Sequence, residues 1–332
     1  MLIIKFNELG KAEEKLYIDN INLSEKLDNN QVLIEIILFP INPADILLVE
    51  GKYSNLPKLP SKIGAECIAK VIKTGKQVKS LSEGDFVMPL TRENWVQKKV
   101  VTESEVIKLS PNVNATQACM LKVNPATAYL MLNNYIKIEK GDYVIQNASN
   151  SGVGNYMIQL CQHYDIKTVN IIRRKNLSKD LLALGATKVI AEKELKSQLV
   201  QLKNNNIKLF LDAVGGPQIL DILPALSNNG IIINYGLLSN KNLNITSHDI
   251  IFRNISIKGF WLSLWLEKMS RIEKNNLYNY LESLINKRIL FTKVQKIYDI
   301  SNIKEAVRVS KAYKRQGKIL VSPNYQKYKN FF

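Results

Sequence analysis

The sequence predicts an α/β protein in which a domain with a doubly wound parallel sheet is inserted in a second, mainly β domain. Three observations support this fold class. From about residue 120 to 290, apolar strands alternate with helices, which is typical of a parallel sheet covered on both faces. A glycine turn follows the first of these strands, within residues 143–159. Residues 1 to about 120 form short apolar runs separated by prolines and glycines.

The first 120 residues predict a compact, mostly antiparallel β domain. Their clearest strands are residues 2–4, 32–38, 67–72 and 86–88. In the following region we predict strands at 143–145, 168–172, 188–190, 208–212, 230–235 and 255–260, and helices at 177–184, 192–202, 217–226 and 264–285. After residue 291 the pattern is again mixed, with a strand at 318–321. We therefore expect residues 1–120 plus 291–332 to form one domain and 121–290 to be inserted in it.

Composition limits the possible functions. The 332 residues are 46% hydrophobic and 23% charged, as in ordinary globular proteins of two domains. No apolar run approaches the ~18–20 residues of a membrane span. The N-terminus enters strand-like alternation without a signal or transit pattern, so we expect a cytoplasmic protein. Cys67, Cys119 and Cys161 are isolated and lack metal-ligand spacing, and we expect them to be reduced.

The net charge of +17 could attract nucleic acid, an anionic membrane face or phosphate-bearing substrates. The basic residues are spread along the chain without a block of five or six, which indicates compositional bias. Nucleic acid is therefore an unlikely main partner. The rival hypothesis of another class is a basic cofactor-binding protein without turnover, and it predicts strongly salt-dependent RNA binding.

Residues 143–159 (YVIQNASNSGVGNYMIQ) carry the main functional motif. An apolar strand leads through small polar residues into Gly152-Val153-Gly154, and an apolar helix pattern follows. Such a turn presents backbone N–H groups and the positive end of a helix dipole to a phosphate. A glycine pair alone is a weak signal, but at the first strand of a doubly wound pattern it predicts dinucleotide binding.

The second strand indicates which dinucleotide is bound. It ends in Arg173, Arg174 and Lys175, where NAD-binding folds place an acid for the 2′-hydroxyl of the adenine ribose. Three cations without an acid favour the additional phosphate of NADPH. The alternative is a solvated basic loop end in a lysine-rich chain.

Several segments resemble the zinc-independent 2-enoyl thioester (trans-2-enoyl-CoA) reductases, in the quinone oxidoreductase-like branch of the medium-chain dehydrogenase/reductase superfamily. The most specific are Asn124-Pro125-Ala126-Thr127-Ala128-Tyr129 and the QNASNSGVG run of residues 146–154. The others are residues 41–45, 51–53, 170–173, 235–236, 260–262 and 317–318. The zinc alcohol dehydrogenases of the superfamily carry a catalytic Cys and a Gly-His-Glu. At those places this chain has Asn42-Pro43-Ala44-Asp45 and Gly64-Ala65-Glu66, so we expect no metal.

The resemblance implies a Rossmann domain inserted in a GroES-like catalytic domain, together with roles for individual residues. Tyr53 would be the catalytic acid or orienting hydroxyl; otherwise it is a turn aromatic covering the sheet. Asn124 would contact the nicotinamide, and Asn150, Ser151, Gly152 and Val153 the pyrophosphate. Arg173, Arg174 and Lys175 would hold the 2′-phosphate, and Lys318 would reach the cofactor. The residues expected to line the nicotinamide and acyl pocket are Tyr235, Gly236, Leu237, Leu238, Phe260, Trp261 and Leu262.

These inferences predict an NADPH-dependent reductase of α,β-unsaturated carbonyl compounds, with trans-2-enoyl thioesters of CoA or acyl carrier protein as substrates, as in fatty acid synthesis. The hydride would reach the β-carbon, and Tyr53 would assist protonation of the α-carbon. The alternative enzyme is an NADPH-dependent quinone or enone oxidoreductase. The resemblance also implies a homodimer, formed through the sheet edge near residues 255–258.

Overall fold

The computed structural model describes residues 1–202, 206–312 and 315–332, which divide into two compact units. Unit 1 contains residues 1–123 and 270–332, and unit 2 contains residues 124–269. One unit is therefore inserted in the other. The first division lies three residues from the expected position. The second lies at 269/270, whereas the sequence placed it at 290/291.

The first segment of unit 1 contains strands β1 (Leu2–Phe6), β2 (Tyr17–Asn20), β3 (Gln31–Pro40), β4 (Ser61–Lys62), β5 (Ile68–Thr74), β6 (Phe86–Pro89), β7 (Lys98–Thr102) and β8 (Val106–Lys108), and helices α1 (Ala12–Lys15), α2 (Pro43–Val49) and α3 (Ala115–Ala118). Unit 2 contains strands β9 (Tyr143–Gln146), β10 (Lys167–Ile172), β11 (Lys188–Ala191), β12 (Ile207–Asp212), β13 (Ile231–Asn234) and β14 (Ser256–Gly259). Its helices are α4 (Asn124–Asn133), α5 (Gly152–His163), α6 (Ser178–Ala183), α7 (Leu195–Val200), α8 (Ile219–Ile222), α9 (Ser247–Arg253) and α10 (Leu262–Lys268). The last segment adds α11 (Arg271–Asn286), β15 (Val294–Asp299), α12 (Ile303–Ser310), β16 (Lys318–Ser322) and α13 (Tyr325–Tyr328).

Unit 1 is built on a mainly antiparallel sheet, as the sequence predicts. Among the described residues its strand order is β15-β16-β3-β5-β6-β8, with β7 also paired to β3, and a small sheet has the order β2-β1-β4. β16 from the chain end pairs antiparallel with β3, which is how the tail joins this unit. Trp95 is fully buried and its ring stacks on Phe39 at 5.2 Å, so aromatic packing contributes to the core beneath these sheets.

Unit 2 is built on a parallel sheet with the order β11-β10-β9-β12-β13-β14, which confirms the doubly wound prediction. The chain starts at β9, proceeds outward through β10 and β11, and then returns to β12 on the other side. The point between β9 and β12 is therefore the topological switch point, where ligands bind beyond the carboxyl ends of the strands. Val144 and Ile145 of β9 are completely buried, as expected for a central strand.

The predicted helix at 264–285 is instead two helices, α10 and α11. Ser270 interrupts it because its hydroxyl accepts a hydrogen bond from Glu273 N at 3.2 Å, while Glu273 Oε2 accepts one from Ser270 N at 2.7 Å. This reciprocal capping box starts a new helix. α11 belongs to unit 1: Tyr278 donates to Lys122 O at 3.1 Å, and Glu282 accepts from Ser110 N at 2.7 Å. These bonds explain why unit 2 ends at residue 269.

Three other helices are shorter than predicted. α6, α7 and α8 occupy parts of the regions 177–184, 192–202 and 217–226, and the remaining residues include single 3₁₀ turns. Near α8, Pro217 and Pro224 lie in such turns, because proline lacks the N–H that an α-helix interior requires. In the part of the chain that the structure describes, no helix has both the length and the apolar character needed to cross a membrane.

Candidate active site

The glycine turn of unit 2 has the geometry of an anion site. β9 ends at Gln146, and the twelve-residue helix α5 begins at Gly152, within the glycine turn itself. Ser151 is its N-cap and accepts a hydrogen bond from Gly154 N at 3.1 Å. Ser149 anchors the loop by donating to Ile171 O at 3.1 Å. The amino end of α5, with its positive dipole, therefore lies at the carboxyl end of the central strand.

Two glycines in this turn allow close approaches. A Cβ on Gly154 would lie 2.5 Å from Ser149 O, so the backbone of the loop occupies the space of a side chain. A Cβ on Gly152 would lie 2.8 Å from Nδ2 of Asn124. Asn124, the first residue of α4, is therefore held against the start of α5. The structure brings together two residues that are distant in sequence and that the resemblance assigns to the same cofactor.

Tyr235 joins this group from the end of β13. Burial raises the pKa of its phenol above the usual value, and the nearby Ser151 hydroxyl opposes this shift. The following Gly236 packs against Ala213, because a Cβ there would lie 2.3 Å from Ala213 O. Leu237 and Leu238 are instead 65% and 63% exposed. Unit 2 thus places Asn124, Ser151, Gly152 and Tyr235 together.

A buried carboxylate lies at the switch point and was missed by the sequence analysis. Asp212 ends β12 and is 1% exposed. Its Oδ1 accepts hydrogen bonds from Asn147 Nδ2 at 2.6 Å and from Gly215 N at 2.9 Å, and its Oδ2 accepts one from Asn234 Nδ2 at 3.2 Å. Asp212 therefore ties together the loops after three neighbouring strands. An acid at a strand end followed by two glycines was the available signal.

The three cations after β10 differ in their environments. Arg173 is exposed and Arg174 is partly buried. Lys175 donates to Glu194 Oε1 at 2.8 Å, an exposed ion pair. An acid therefore does lie near the third cation, although it comes from a different part of the chain. This ion pair partly neutralises the charge that Lys175 could offer to a 2′-phosphate.

Aromatic residues cluster after β14. Phe260 is 7% exposed and its ring stacks on Trp265 at 6.1 Å. Trp265 in turn contacts Tyr135, with ring centroids 5.9 Å apart. Trp261 is the N-cap residue of α10, and Leu262 is its first residue. Trp265, which the sequence analysis did not select, is the tryptophan that packs on Phe260.

Tyr53 belongs to unit 1 and follows α2. Its ring is partly buried against the hydrophobic core of this unit, and the Arg92 guanidinium lies 5.3 Å from the ring centroid. A cation over the face of an aromatic ring attracts it electrostatically. α2 is in turn started by Asn42, whose backbone N–H donates to Asp45 Oδ2 at 3.0 Å. Tyr53 thus follows a helix with a defined start, and its ring contacts both the core of unit 1 and Arg92.

A second group in unit 1 is polar and buried. Lys318 is 5% exposed, and its ammonium donates to Asn42 Oδ1 at 2.6 Å and to Ile41 O at 3.3 Å. Asn42 Nδ2 donates to Glu66 Oε1 at 2.8 Å, and Glu66 Oε2 accepts from Val123 N at 2.8 Å. Lys122, also buried, donates to Ala65 O at 2.7 Å. The sequence analysis noted Asn42 and Glu66 only as places that lack zinc ligands.

These buried charges have strongly shifted pKa values. Burial raises the pKa of Glu66 to about 7, although Lys318 and the hydrogen bonds to the carboxylate oppose the shift. Burial lowers the pKa of Lys318 to about 8 and that of Lys122 to about 7, and in both cases Glu66 opposes it. Perturbed groups of this kind cluster at functional sites, although structural networks also produce them.

Acidic side chains and cysteines are the other groups of this chain that could ligate a metal or act as nucleophiles. Within residues 1–202, 206–312 and 315–332, no three His, Cys, Asp or Glu side chains are placed so that they could hold a metal ion together. Cys67, Cys119 and Cys161 are free and buried. Burial raises the pKa of the Cys67 thiol to about 12, so a reactive thiolate is not favoured there.

Comparisons with known proteins agree with this architecture. Residues 152–283 match the zinc-binding dehydrogenase family, and residues 28–108 match the alcohol dehydrogenase GroES-like domain. The mitochondrial enoyl-acyl-carrier-protein reductase of Dictyostelium discoideum is 35% identical over 295 residues, which cover 86% of this chain and 84% of the relative.

Solved structures with a similar fold include enoyl thioester reductases and a protein described as a quinone reductase. The mitochondrial 2-enoyl thioester reductase heterodimer Etr1p/Etr2p of Candida tropicalis has a TM-score of 0.88 and 28% identity, covering 97% of this chain and 99% of that one. The Etr1p complex with NADP and crotonyl-CoA has a TM-score of 0.87 and 27% identity, with the same coverage. A Bacillus thuringiensis protein described as an NADPH:quinone reductase has a TM-score of 0.90 and 25% identity, covering 97% and 98%. The chain therefore belongs to the enoyl reductase and quinone oxidoreductase-like branch of the medium-chain dehydrogenase/reductase superfamily.

Proposed function

We propose that this protein reduces the C=C bond of trans-2-enoyl thioesters with NADPH. The main support for this proposal is the 35% identity to an enoyl-acyl-carrier-protein reductase along most of both chains. The similar fold of Etr1p, whose structure contains NADP and crotonyl-CoA, supports both the cofactor and the substrate class. The arrangement of the glycine turn is compatible with this cofactor.

The residues of unit 2 fit a dinucleotide phosphate. The amino end of α5 offers backbone N–H groups at Gly152 and Val153, and Asn150 and Ser151 precede them. The close packing of Gly154 on Ser149 keeps the loop compact enough for a pyrophosphate to approach the helix end. Arg173 and Arg174, assisted by Lys175, would attract the 2′-phosphate. Asn124, Tyr235 and Phe260 would lie toward the nicotinamide.

When bound, NADPH supplies the hydride that reaches the β-carbon of the substrate. The chain must then stabilise the enolate that forms from the thioester and provide for protonation at the α-carbon. Tyr53 suits this task because a phenol can donate a hydrogen bond while it is neutral. Arg92 over its ring holds the aromatic plane in one orientation. The segment Asn42-Pro43-Ala44-Asp45 and Ala65 stand where zinc enzymes have their ligating Cys and His, and we propose a reaction that does not use zinc.

A quinone or enone reductase is the second candidate. The specific observation in its favour is the similarity to the Bacillus thuringiensis protein described as an NADPH:quinone reductase. The two candidates share the hydride donor and differ in the acceptor. Only an acyl thioester brings a CoA or acyl-carrier-protein phosphopantetheine with it, for which the net charge of +17 is favourable.

The test is NADPH oxidation with matched acceptors. We expect crotonyl-CoA and a longer trans-2-enoyl-CoA to be reduced with kcat/KM well above the values for an enone and a benzoquinone. Rates should be unchanged after treatment with a chelator. A preference for quinones would favour the second candidate, and loss of activity with the chelator would contradict the zinc-independent reaction. If no acceptor is reduced while RNA binds in a salt-dependent manner, both enzyme proposals fail.

We also propose that two copies of the chain associate through β14. Among the described strands, β14 pairs only with β13 and is thus an edge of the parallel sheet. An edge strand with free hydrogen-bonding groups readily pairs with another chain. A related reductase structure is a heterodimer, which is compatible with a two-chain assembly. A cytoplasmic location likewise stays a proposal, since the related reductases are named mitochondrial; cell fractionation tests it.

A further inference from the structure

Glu66 lies in the middle of a buried chain of hydrogen bonds in unit 1. The members of this chain, which we name the Glu66 chain, are the Lys318 ammonium, the Asn42 side chain, the Glu66 carboxylate and the Val123 backbone N–H. Its three bonds measure 2.6, 2.8 and 2.8 Å. Glu66 is 0% exposed and Asn42 is 2% exposed, so water does not replace these partners.

The direction of every bond in the Glu66 chain is fixed by chemistry. An ammonium can only donate, so the oxygen of the Asn42 amide faces Lys318 and its NH₂ faces Glu66. The backbone N–H of Val123 also only donates. Both partners of Glu66 are therefore donors, and only a side chain with two acceptor oxygens satisfies them. A glutamine at this position would present its own NH₂ to one of the two donors.

The two ends of the Glu66 chain involve residues that the resemblance connects with the cofactor. At one end, Lys318 has three N–H groups, of which two donate to Asn42 and Ile41 O within the described residues, and a third N–H can serve another acceptor. At the other end, Val123 directly precedes Asn124, whose side chain lies against Gly152 of the nucleotide turn. Both ends thus lead to residues that the resemblance assigns to the cofactor, although Glu66 itself has no assigned role.

We propose that Glu66 is a positioning residue for NADPH, which fixes the Lys318 ammonium through Asn42 and the start of α4, with Asn124, through Val123. The proposal rests on the proposed NADPH-dependent function and assigns no chemical step to Glu66. It gives a reason for a buried carboxylate whose hydrogen bonds span 57 residues to Val123 and 24 to Asn42. A buried carboxylate needs such partners to offset its desolvation.

The first test is Glu66→Gln, read as the Kd for NADPH without any acyl substrate. Loss of one buried hydrogen bond and the resulting contact between two donors should raise the Kd about tenfold. The matched control is Glu35→Gln. Glu35 is also a buried carboxylate of unit 1, at 5% exposure, but it binds Lys327 and Tyr328, to which the resemblance assigns no cofactor contact. The Glu35→Gln variant should have a lower Tm and an unchanged Kd for NADPH.

The second test exchanges the two side chains in the variant Asn42→Asp/Glu66→Gln. The introduced aspartate accepts from Lys318 with one oxygen and from the NH₂ of the introduced glutamine with the other, and the glutamine oxygen accepts from Val123 N. Every donor again meets an acceptor and the total charge is unchanged. The Kd for NADPH should therefore return to within about threefold of the wild-type value, whereas Asn42→Asp alone should weaken NADPH because two carboxylates then meet.

The outcomes separate a positioning role from a structural one. If Glu66→Gln lowers Tm but leaves the NADPH Kd unchanged, or if the exchange is no better than Glu66→Gln, the proposal is overturned. If Glu66→Gln does not fold, the proposal is tested by the Kd of the exchange variant for NADPH alone. A wild-type protein that binds no NADPH would refute the proposed function together with this inference. Normal NADPH binding without reduction of enoyl thioesters would refute the proposed function but not the positioning role of Glu66.

Discussion

The ring of Tyr53 has two defined contacts. It is partly buried against the core of unit 1, and the Arg92 guanidinium lies over it at 5.3 Å from the ring centroid. The phenol is therefore presented in a defined direction, and this is what a group that hydrogen-bonds a developing enolate needs. A tyrosine that only covered the sheet would require the ring but not the hydroxyl.

Removal of that hydroxyl separates the two interpretations. Tyr53→Phe keeps the ring and its contact with Arg92, so we expect NADPH to bind normally. The kcat/KM for crotonyl-CoA should fall about 10²- to 10⁴-fold, the usual contribution of a positioned acid. Tyr17→Phe, in β2 of the same unit, is the control and should be neutral. Turnover by Tyr53→Phe at the wild-type rate would remove the hydroxyl from the mechanism.

Arg173 is the residue at which the choice of dinucleotide can be tested. It is exposed and directly follows β10, at the strand end that meets the adenine ribose in dinucleotide-binding folds. Arg173→Ala should raise the Kd for NADPH about 10- to 100-fold, the range for hydrogen bonds between charged groups, and change that for NADH by less than about twofold. Lys179→Ala, an exposed cation of α6, controls for the loss of one charge. Equal weakening of both cofactors would contradict the assignment to NADPH.

At the scale of elements, the turn between β9 and α5 predicts a difference between its two glycines. A Cβ on Gly154 would meet backbone atoms of Ser149 at 2.5 Å, and backbone cannot yield without moving the loop. A Cβ on Gly152 would meet the Asn124 side chain, which can turn away. Gly154→Ala should therefore lower Tm more than Gly152→Ala, and both should weaken NADPH. Thermal melts and NADPH titration check this order; a larger loss of Tm in Gly152→Ala would contradict it.

Asp142 joins the strands of unit 2 at their amino ends. Burial by itself would raise the pKa of Asp142. The net effect is a pKa below the usual value, because the carboxylate accepts hydrogen bonds from Lys208 Nζ at 2.6 Å, Glu139 N at 2.8 Å and Asn206 Nδ2 at 2.6 Å. A lowered carboxyl pKa adds stability above the unfolded-state pKa and loses it as the pH falls through the folded-state value.

Asp142→Asn should therefore destabilise the protein by about 2 kcal/mol at pH 7, because it removes charge-assisted bonds. The difference from the wild-type protein should shrink as the pH falls below about 4, where the wild-type carboxyl is protonated in the unfolded chain and then in the folded one. Chemical denaturation measures this difference in the free energy of unfolding. The measurements should run from about pH 3 to pH 7, a range that includes the ordinary carboxyl pKa. A difference that is constant across this range would show that the charge of Asp142 is not involved.

The elements also show what periodicity alone can predict. Both sheets follow from the apolar patterns, because a central parallel strand such as β9 must be apolar on both faces. The break between α10 and α11 does not follow from them, since the apolar pattern continues past residue 270. It depends on the pair Ser270 and Glu273, which has the spacing of a capping box and could have been read as a helix start.

At the scale of the whole molecule, the site residues that sequence reasoning missed are those joined over long distances. Glu66 and Val123 are 57 positions apart, and Asn147 and Asp212 are 65 apart. Nothing in the local pattern of either partner indicates the other. Where a motif is local, as at Gly152 and Ser151, the sequence alone was enough to predict cofactor-binding residues. Glu66 and Asp212 became candidates only when the structure showed their buried partners.

The edge of the parallel sheet allows the proposed homodimer to be tested with one residue. Ser256 N donates to Gly230 O and Phe260 N donates to Asn234 O, both toward β13. Because successive N–H groups of a strand point in opposite directions, the N–H of Ile257 points away from β13. A proline is tolerated at such an edge position but cannot donate to a second copy.

Ile257→Pro should therefore give a monomer in sedimentation velocity, whereas the wild-type protein should have twice the chain mass of 37.8 kDa. Ile257→Val keeps the outward N–H and should remain dimeric, which controls for the loss of side-chain volume at a partly buried position. Circular dichroism must show the same secondary structure in both variants, since the bonds to β13 are untouched. A proline variant that is still dimeric would contradict the proposal that the Ile257 N–H pairs the two copies through β14.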